Sequence, residues 1–148
     1  FNSKKFSRNF IDKLDLKFDL AYGRLNYSKN ISISDNIFNC KGSINLLEEF
    51  PLLFFDCLIN SNTKRNLFKK FDIDIKKENE ILNLSVKGNL SVMNNKINFK
   101  KISMNNNYKA SNEDLHYFKE KFENILFKDN FIKIFDLKKI KEFILEIS

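Results

Sequence analysis

The stretch Leu82-Asn83-Leu84-Ser85-Val86-Lys87-Gly88-Asn89-Leu90-Ser91-Val92 alternates without a break. Leu82, Leu84, Val86, Gly88, Leu90 and Val92 fall on one side, and Asn83, Ser85, Lys87, Asn89 and Ser91 on the other. Successive side chains on a strand point to opposite faces, so this is one long strand with an apolar and a polar face. Asn94-Asn95 reads as a turn, and Lys96-Ile97-Asn98-Phe99 resumes the alternation as its partner. The phase slips at Lys100-Lys101, and Ile102 and Met104 carry it on. One extra residue there is a β-bulge. A one-sided strand builds a scaffold or a lining and does not by itself make a catalytic site.

The same texture extends upstream. Leu14, Leu16, Phe18, Leu20 and Tyr22 share one face of an alternating run that Gly23 breaks. Leu25 and Tyr27 lie on a short strand. Ser28-Lys29-Asn30 reads as a turn, Ile31 and Ile33 as the next strand, and Asp35-Asn36 as another turn. Phe38, Cys40, Gly42, Ile44 and Leu46 alternate with Asn39, Lys41, Ser43 and Asn45. Strands at roughly 8–12-residue spacing are the mark of an all-β assembly. The apolar run Leu52 to Ile59 fits a buried strand or the continuation of a short helix from Glu48-Glu49; we favour the strand. Asn62 or Thr63 is placed to cap a short helix over Lys64 to Lys70. Phe71, Ile73 and Ile75 alternate with Asp72 and Asp74, as if the sheet resumed, and Lys77 to Glu80 is a polar turn.

After Asn105-Asn106-Asn107 the period changes. Ser111-Asn112-Glu113-Asp114 has the form of a capping box with Asp in the usual Glu place. Leu115, Phe118, Phe122, Ile125 and Leu126 follow at helical steps. Asp136 is placed to cap a last helix with the stripe Leu137, Ile140, Phe143, Ile144 and Ile147, opposite Lys138, Lys139 and Lys141. The expected fold is mainly β with C-terminal helices. A curved, groove-like antiparallel meander over residues 13–105 is followed by a tail of two amphipathic helices over 111–148. Gly42 and Gly88, inside strands on the apolar face, are expected to mark where the sheet curves.

The chain has 148 residues, enough for a real core. It opens on Phe1, and we read it as the C-terminal piece of a longer protein. Its most apolar run, Pro51 to Phe55, is far shorter than the ~20 residues of a spanning helix. Net charge is +7, carried mostly by Lys. Nucleic-acid readers lean on Arg forks, so this surplus suits a solvated surface or anionic lipid headgroups better. The abundance of Lys, Asn, Ile and Phe also matches the drift of an AT-rich genome. The basic final helix suits a membrane surface or, more plainly, packing on its own domain.

Candidate chemistry is sparse. His116, the one histidine, has no partners at triad or metal spacing and reads as a surface residue. Asp72 and Asp74 face the polar side of the expected strand among lysines, and solubility explains them. Gly23, Gly42 and Gly88 form no phosphate-cradling loop. Cys40 and Cys57 lack metal spacing; they allow one disulfide in an oxidising compartment or serve as two small buried hydrophobes, the plainer reading. The Asn-x-Ser matches at Asn26, Asn30, Asn83 and Asn89 are expected by chance in so Asn-rich a chain. We expect no catalytic residues, no metal and no cofactor. The apolar sheet face itself remains, either as plain core or as an open trough for acyl chains. The candidate lipid-facing residues are Leu82, Leu84, Val86, Leu90, Val92, Ile97 and Phe99.

The strand Leu82 to Leu90, the Asn94-Asn95 turn, Lys96 to Ile102, and the earlier Cys40 to Leu46 together resemble the C-terminal part of AsmA-like proteins of Gram-negative bacteria. The likeness covers residues 13 to 105 and rests on strand texture. It implies a non-enzymatic envelope protein, anchored in the inner membrane by an N-terminal segment outside this chain. The body of such a protein extends through the periplasm as a sheet curled into a hydrophobic groove. The family is associated with phospholipid transport and outer-membrane assembly, so the implied partners are phospholipid acyl chains. Two alternatives stay open. One is a basic β-domain binding nucleic acid, which this reading does not expect. The other is a structural interaction module of a larger surface protein.

Overall fold

A computed structural model describes residues 11–74, 81–91, 93–128 and 137–147. Seven strands form one antiparallel sheet in chain order: β1 (Lys13–Ala21), β2 (Arg24–Ile33), β3 (Asn36–Asn45), β4 (Leu52–Ser61), β5 (Leu82–Ser91), β6 (Lys96–Met104) and β7 (Tyr108–Lys109). Helix α1 (Lys64–Lys70) lies between β4 and β5, and α2 (Asn112–Leu126) and α3 (Leu137–Ile147) follow the sheet. The mainly β fold with helices at its C-terminal end is as expected. The sheet is open and uncurled, so the expected trough does not form by curling.

Tight turns set the registers. Tyr22 and Gly23 both have positive φ, 49° and 73°, and close the β1–β2 hairpin in two residues. Ser34 and Asp35, at 48° and 63°, do the same between β2 and β3. Paired positive φ values match the right-handed twist of the flanking strands. Asn36 then pins its hairpin: its side-chain amide donates to the carbonyls of Ile33 and Ser34, each at 2.8 Å. The expected turn at Ser28-Lys29-Asn30 is absent, because all three pair with Lys41, Cys40 and Asn39 inside a continuous β2. Register alone held that strand together where the polar residues suggested a break.

The expected bulge is present. Gly88 pairs with Phe99 and Lys87 with Lys101, so Lys100 is the extra residue. The glycines allow close approach and do not curl the sheet. A Cβ on Gly88 would stand 2.7 Å from Cζ of Phe55, and one on Gly42 would stand 2.7 Å from Cε1 of Tyr27. At each glycine a Cβ would meet a neighbouring-strand carbonyl first, that of Phe54 at Gly42 and of Asn98 at Gly88, with the ring next, so glycine permits both the close strand backbone and the ring across it.

Leu52 to Ile59 is strand, as favoured. Thr63 occupies the N-cap position of α1, although its side chain makes no capping hydrogen bond. The sheet does not resume at Phe71: Phe71 and Asp72 form a turn closing α1, and Ile73 is buried outside any strand. Ile75 and the turn expected at Lys77 to Glu80 lie outside the described residues. Ser111 and Asp114 form the expected reciprocal box, with Ser111 N–H donating to Asp114 at 2.8 Å and Asp114 N–H to Ser111 Oγ at 3.1 Å. That backbone bond chiefly holds the Asp114 carboxyl below its ordinary range. The cap expected at Asp136 lies outside the described residues.

Helix α2 packs on β6, and α3 packs on α2. Leu90, Ile97 and Phe127 form the buried centre, with Leu53, Phe55, Phe99 and Phe122 against it. Phe122 meets Phe99, Phe127 and Phe143 edge-to-face at centroid distances of 5.7, 5.1 and 5.5 Å. Such edge contacts match the ring quadrupoles and add to the area buried. Tyr117 donates to the Glu146 carbonyl at 3.2 Å, and Lys141 of α3 donates to the Asp72 carbonyl at 2.9 Å.

Candidate functional site: a half-covered apolar face

The cross-strand registers place one apolar row beside the next. Leu84 of β5 lies opposite Ile59 of β4 and Met104 of β6, and Val86 lies opposite Cys57 and Ile102. Ile59 lies opposite Phe38, which lies opposite Ile31, which lies opposite Leu14. Directly paired residues share a face, so the row runs unbroken from β1 to β6. Alternation gives the face within β1, β3 and β5, and the pairing registers extend the row through β2 and β4, where the sequence shows no clean alternation.

The helices cover only part of this face. Leu90 and Ile97 are 6% and 4% exposed under Phe127, and Phe99 is half-buried against Phe122. Leu82, Leu84 and Val86 are also half-buried on the same face. Val92, the seventh candidate, lies outside the described residues. The β1 end stays open: Leu14 and Leu16 are each 48% exposed, and Phe18 is 67% exposed. Leu20 is open beside them, opposite Leu25.

This open strip runs into an apolar rim. Tyr22, Leu46, Leu47, Phe50 and Met93 are all exposed. They sit in the β1–β2, β3–β4 and β5–β6 connections, which the antiparallel order brings to one end of the sheet. The Leu46 N–H bonds the Gly23 carbonyl at 2.8 Å, which ties two of those connections together. Large contiguous apolar surface on a folded chain marks a contact with lipid, ligand or protein. Sequence reading placed Leu14, Leu16, Phe18 and Leu20 on one face without singling them out. Nothing in the alternation said which strands the helices would leave bare.

Two polar groups stand within the apolar face on β2. Lys29 pairs with Leu16 on one side and Cys40 on the other. Burial holds its ammonium below the ordinary pKa. Tyr27, lying across Gly42, has its phenol pushed up by burial and donates to the Phe54 carbonyl at 3.5 Å. The neighbouring pair Cys40 and Cys57 forms a disulfide across β3 and β4, with Cα atoms 4.1 Å apart. That corrects the plainer reading of two separate small hydrophobes.

The opposite face is basic. Lys87 pairs with Asp56 at 2.8 Å. A hollow of about 430 Å³ is lined by Asn39, Lys41, Asp56, Leu58, Lys87 and Lys101. Beside it Lys100 lies 5.5 Å from the ring centroid of Phe54, which is 41% exposed. Phe54 follows from strand geometry: Phe54 and Phe55 are neighbours and must face opposite ways.

His116 is exposed on α2, 3.4 Å from Glu120 one turn on. Asp72 is in the turn after α1 and Asp74 follows without strand structure, so the two do not share a strand face. Among the described residues, no group of three or more His, Cys, Asp or Glu side chains is placed to hold a metal. No described helix is long and apolar enough to cross a membrane. No family model matches the chain, and neither a curated protein nor a solved structure matches it.

Proposed function

We propose that this chain is a non-enzymatic, AsmA-like module of the cell envelope that lodges phospholipid acyl chains on its apolar sheet face. The carrying observation is the uncovered strip Leu14, Leu16, Phe18 and Leu20, continuous with the apolar rim Tyr22, Leu47 and Phe50. An acyl chain lying along that strip removes apolar surface from water on both partners, at about 25 cal/mol for each Å² buried. Covering by α2 and Phe127 buries Leu90 and Ile97 and half-buries Phe99, so we assign the lipid-facing role to the β1 to β3 side. Leu82, Leu84 and Val86 border it. The lysine surplus favours anionic headgroups at the margin. The Cys40–Cys57 bridge suits an oxidising compartment, in keeping with a periplasmic body held at the inner membrane and serving lipid transport or outer-membrane assembly.

Native mass spectrometry after mild release tests this reading. The purified chain is expected to carry phospholipid, and the double variant Leu16→Ser, Phe18→Ser to lose it while keeping its fold. Lipid-free protein that also fails to take up phosphatidylglycerol from vesicles removes the proposal.

The polar face supports a second reading, contact with single-stranded nucleic acid. Exposed Phe54 under Lys100, with Lys41 and Lys101 nearby, combines a stacking surface with cations. A gel shift that weakens with salt and is lost in Phe54→Ala favours it. Absence of any shift at low salt excludes it.

A further inference from the structure

The outer edge of the sheet is self-complementary. Among the described residues β1 has a neighbouring strand on one side only. All its residues are exposed, from Lys13 to Ala21. Its polar face reads Lys13, Asp15, Lys17, Asp19, and the β2 residues directly opposite are Ser32, Asn30, Ser28 and Asn26. The alternating charges are therefore unanswered across the β1–β2 ladder, although Lys13 and Asp15 lie 3.1 Å apart along the strand itself. A regular open edge of this length is a template for another strand, and natural sheets usually blunt one.

We propose that β1 pairs antiparallel with β1 of a second copy of this chain, about a two-fold axis at Leu16. In that register the polar face sets Lys13 against the partner's Asp19 and Asp15 against the partner's Lys17, and the two-fold repeats both pairs. The apolar face sets Leu14 against the partner's Phe18 and Leu16 against the partner's Leu16. Sliding the strands by one step, so that Asp15 or Lys17 lies on the axis, puts like charges opposite one another. Opposite charges across a ladder stabilise it and like charges destabilise it. Axes at Leu14 or Phe18 also set Lys against Asp but engage only two of the four charged residues, so the register about Leu16, which engages all four, is favoured. The interface is isologous and closes on itself, which gives a dimer and no fibre. Backbone edges make the pairing, so the apolar strips of the two copies meet side by side as one wider face. The dimer stands on the charge pattern and on the β1 edge that no described strand occupies, independently of any lipid.

Sedimentation velocity on the full 148-residue chain tests it. The unaltered chain is expected to dimerise reversibly. The variant Asp15→Lys, Asp19→Lys and the variant Lys13→Asp, Lys17→Asp each carry a single sign along the edge. Each alone is expected to dimerise at least about tenfold more weakly, and an equimolar mixture of the two to form a heterodimer. Directly opposite Cα atoms lie about 4.5–5.5 Å apart, within disulfide reach, so Leu16→Cys is expected to cross-link two copies. Leu14→Cys is not, because its counterpart is then about 13 Å away. All the altered residues are exposed, and near-ultraviolet circular dichroism is expected to stay unchanged. A chain that is monomeric up to its solubility limit overturns the proposal. So does a dimer that survives either charge swap, a mixture whose components stay apart, or cross-linking at position 14 in preference to 16.

Discussion

Glu123 of α2 accepts a hydrogen bond from the backbone N–H of Ile97 at 2.9 Å, while its other oxygen pairs with Lys96 at 3.2 Å. A helix carboxylate thus holds the first residues of β6, next to the buried centre of the protein. Ile97 is an apolar residue of the face that α2 covers, so this bond sits at the seam between helix and sheet.

Removing that acceptor leaves a part-buried N–H without its partner, at about 1–3 kcal/mol. Glu123→Ala is expected to lower stability by that amount, and Glu123→Gln, which keeps an acceptor oxygen, by less. Urea unfolding gives the size. Faster amide exchange at Ile97, with β2 unchanged, locates the effect.

The two ends of the apolar face respond differently to truncation. Phe127 is 5% exposed and touches Phe122 edge-on at 5.1 Å. Phe127→Ala is expected to cost about 3–5 kcal/mol through lost burial and the cavity left behind. Phe18→Ala, at the open end, is expected to change stability by less than about 0.5 kcal/mol. Denaturant midpoints measured side by side decide whether α2 alone separates core from open surface.

The Cys40–Cys57 bridge closes a loop with a sequence separation of 17. On the chain-entropy account such a loop is worth about 3 kcal/mol. Reduction, or the double substitution Cys40→Ser and Cys57→Ser, is expected to lower the unfolding midpoint accordingly. No change on reduction would mean that the bridge does not form.

Lys29 makes stability depend on alkaline pH. Burial lowers its folded pKa below the ordinary 10.5, so between those two values the unfolded chain binds more protons than the folded one. This contribution to stability rises with pH through that window and levels off above the ordinary value. Tyr27 acts oppositely: its folded pKa is raised above 10.0, so its contribution is lost as pH climbs past that value. Lys29→Met is expected to be neutral or stabilising at pH 7 and to abolish the rise. The difference between the two unfolding curves, followed from pH 7 to beyond the ordinary value of 10.5, isolates the lysine.

Much of this architecture is legible in local pattern. The alternation from Leu82 to Leu90 is a strand, the Lys100 bulge shows as a slip of phase, and Ser111 with Asp114 announces α2. Each of these signals acts over a few residues, through pleat, register or one capping bond. Period-2 alternation also placed Leu84 and Val86 on one face, because a pleat has no other option; the opposite facing of Phe54 and Phe55 followed only once the run from Leu52 was a strand.

Contacts between distant residues decided the rest. Ser28-Lys29-Asn30 has the composition of a turn, yet pairing with β3 keeps it extended. Gly42 and Gly88 admit the rings of Tyr27 and Phe55, a use that depends on which strands become neighbours. Cys40 and Cys57 are close only because β3 and β4 pair in one register. Above all, the alternation makes Phe18 and Phe99 look alike. Phe99 is covered because Phe122 is carried back over β6 by a helix that begins after the sheet ends, whereas Phe18 on β1 stays 67% exposed among the described residues. Side-chain direction follows from the backbone pleat within each strand. Which apolar surface stays in contact with solvent depends on where a separate element docks.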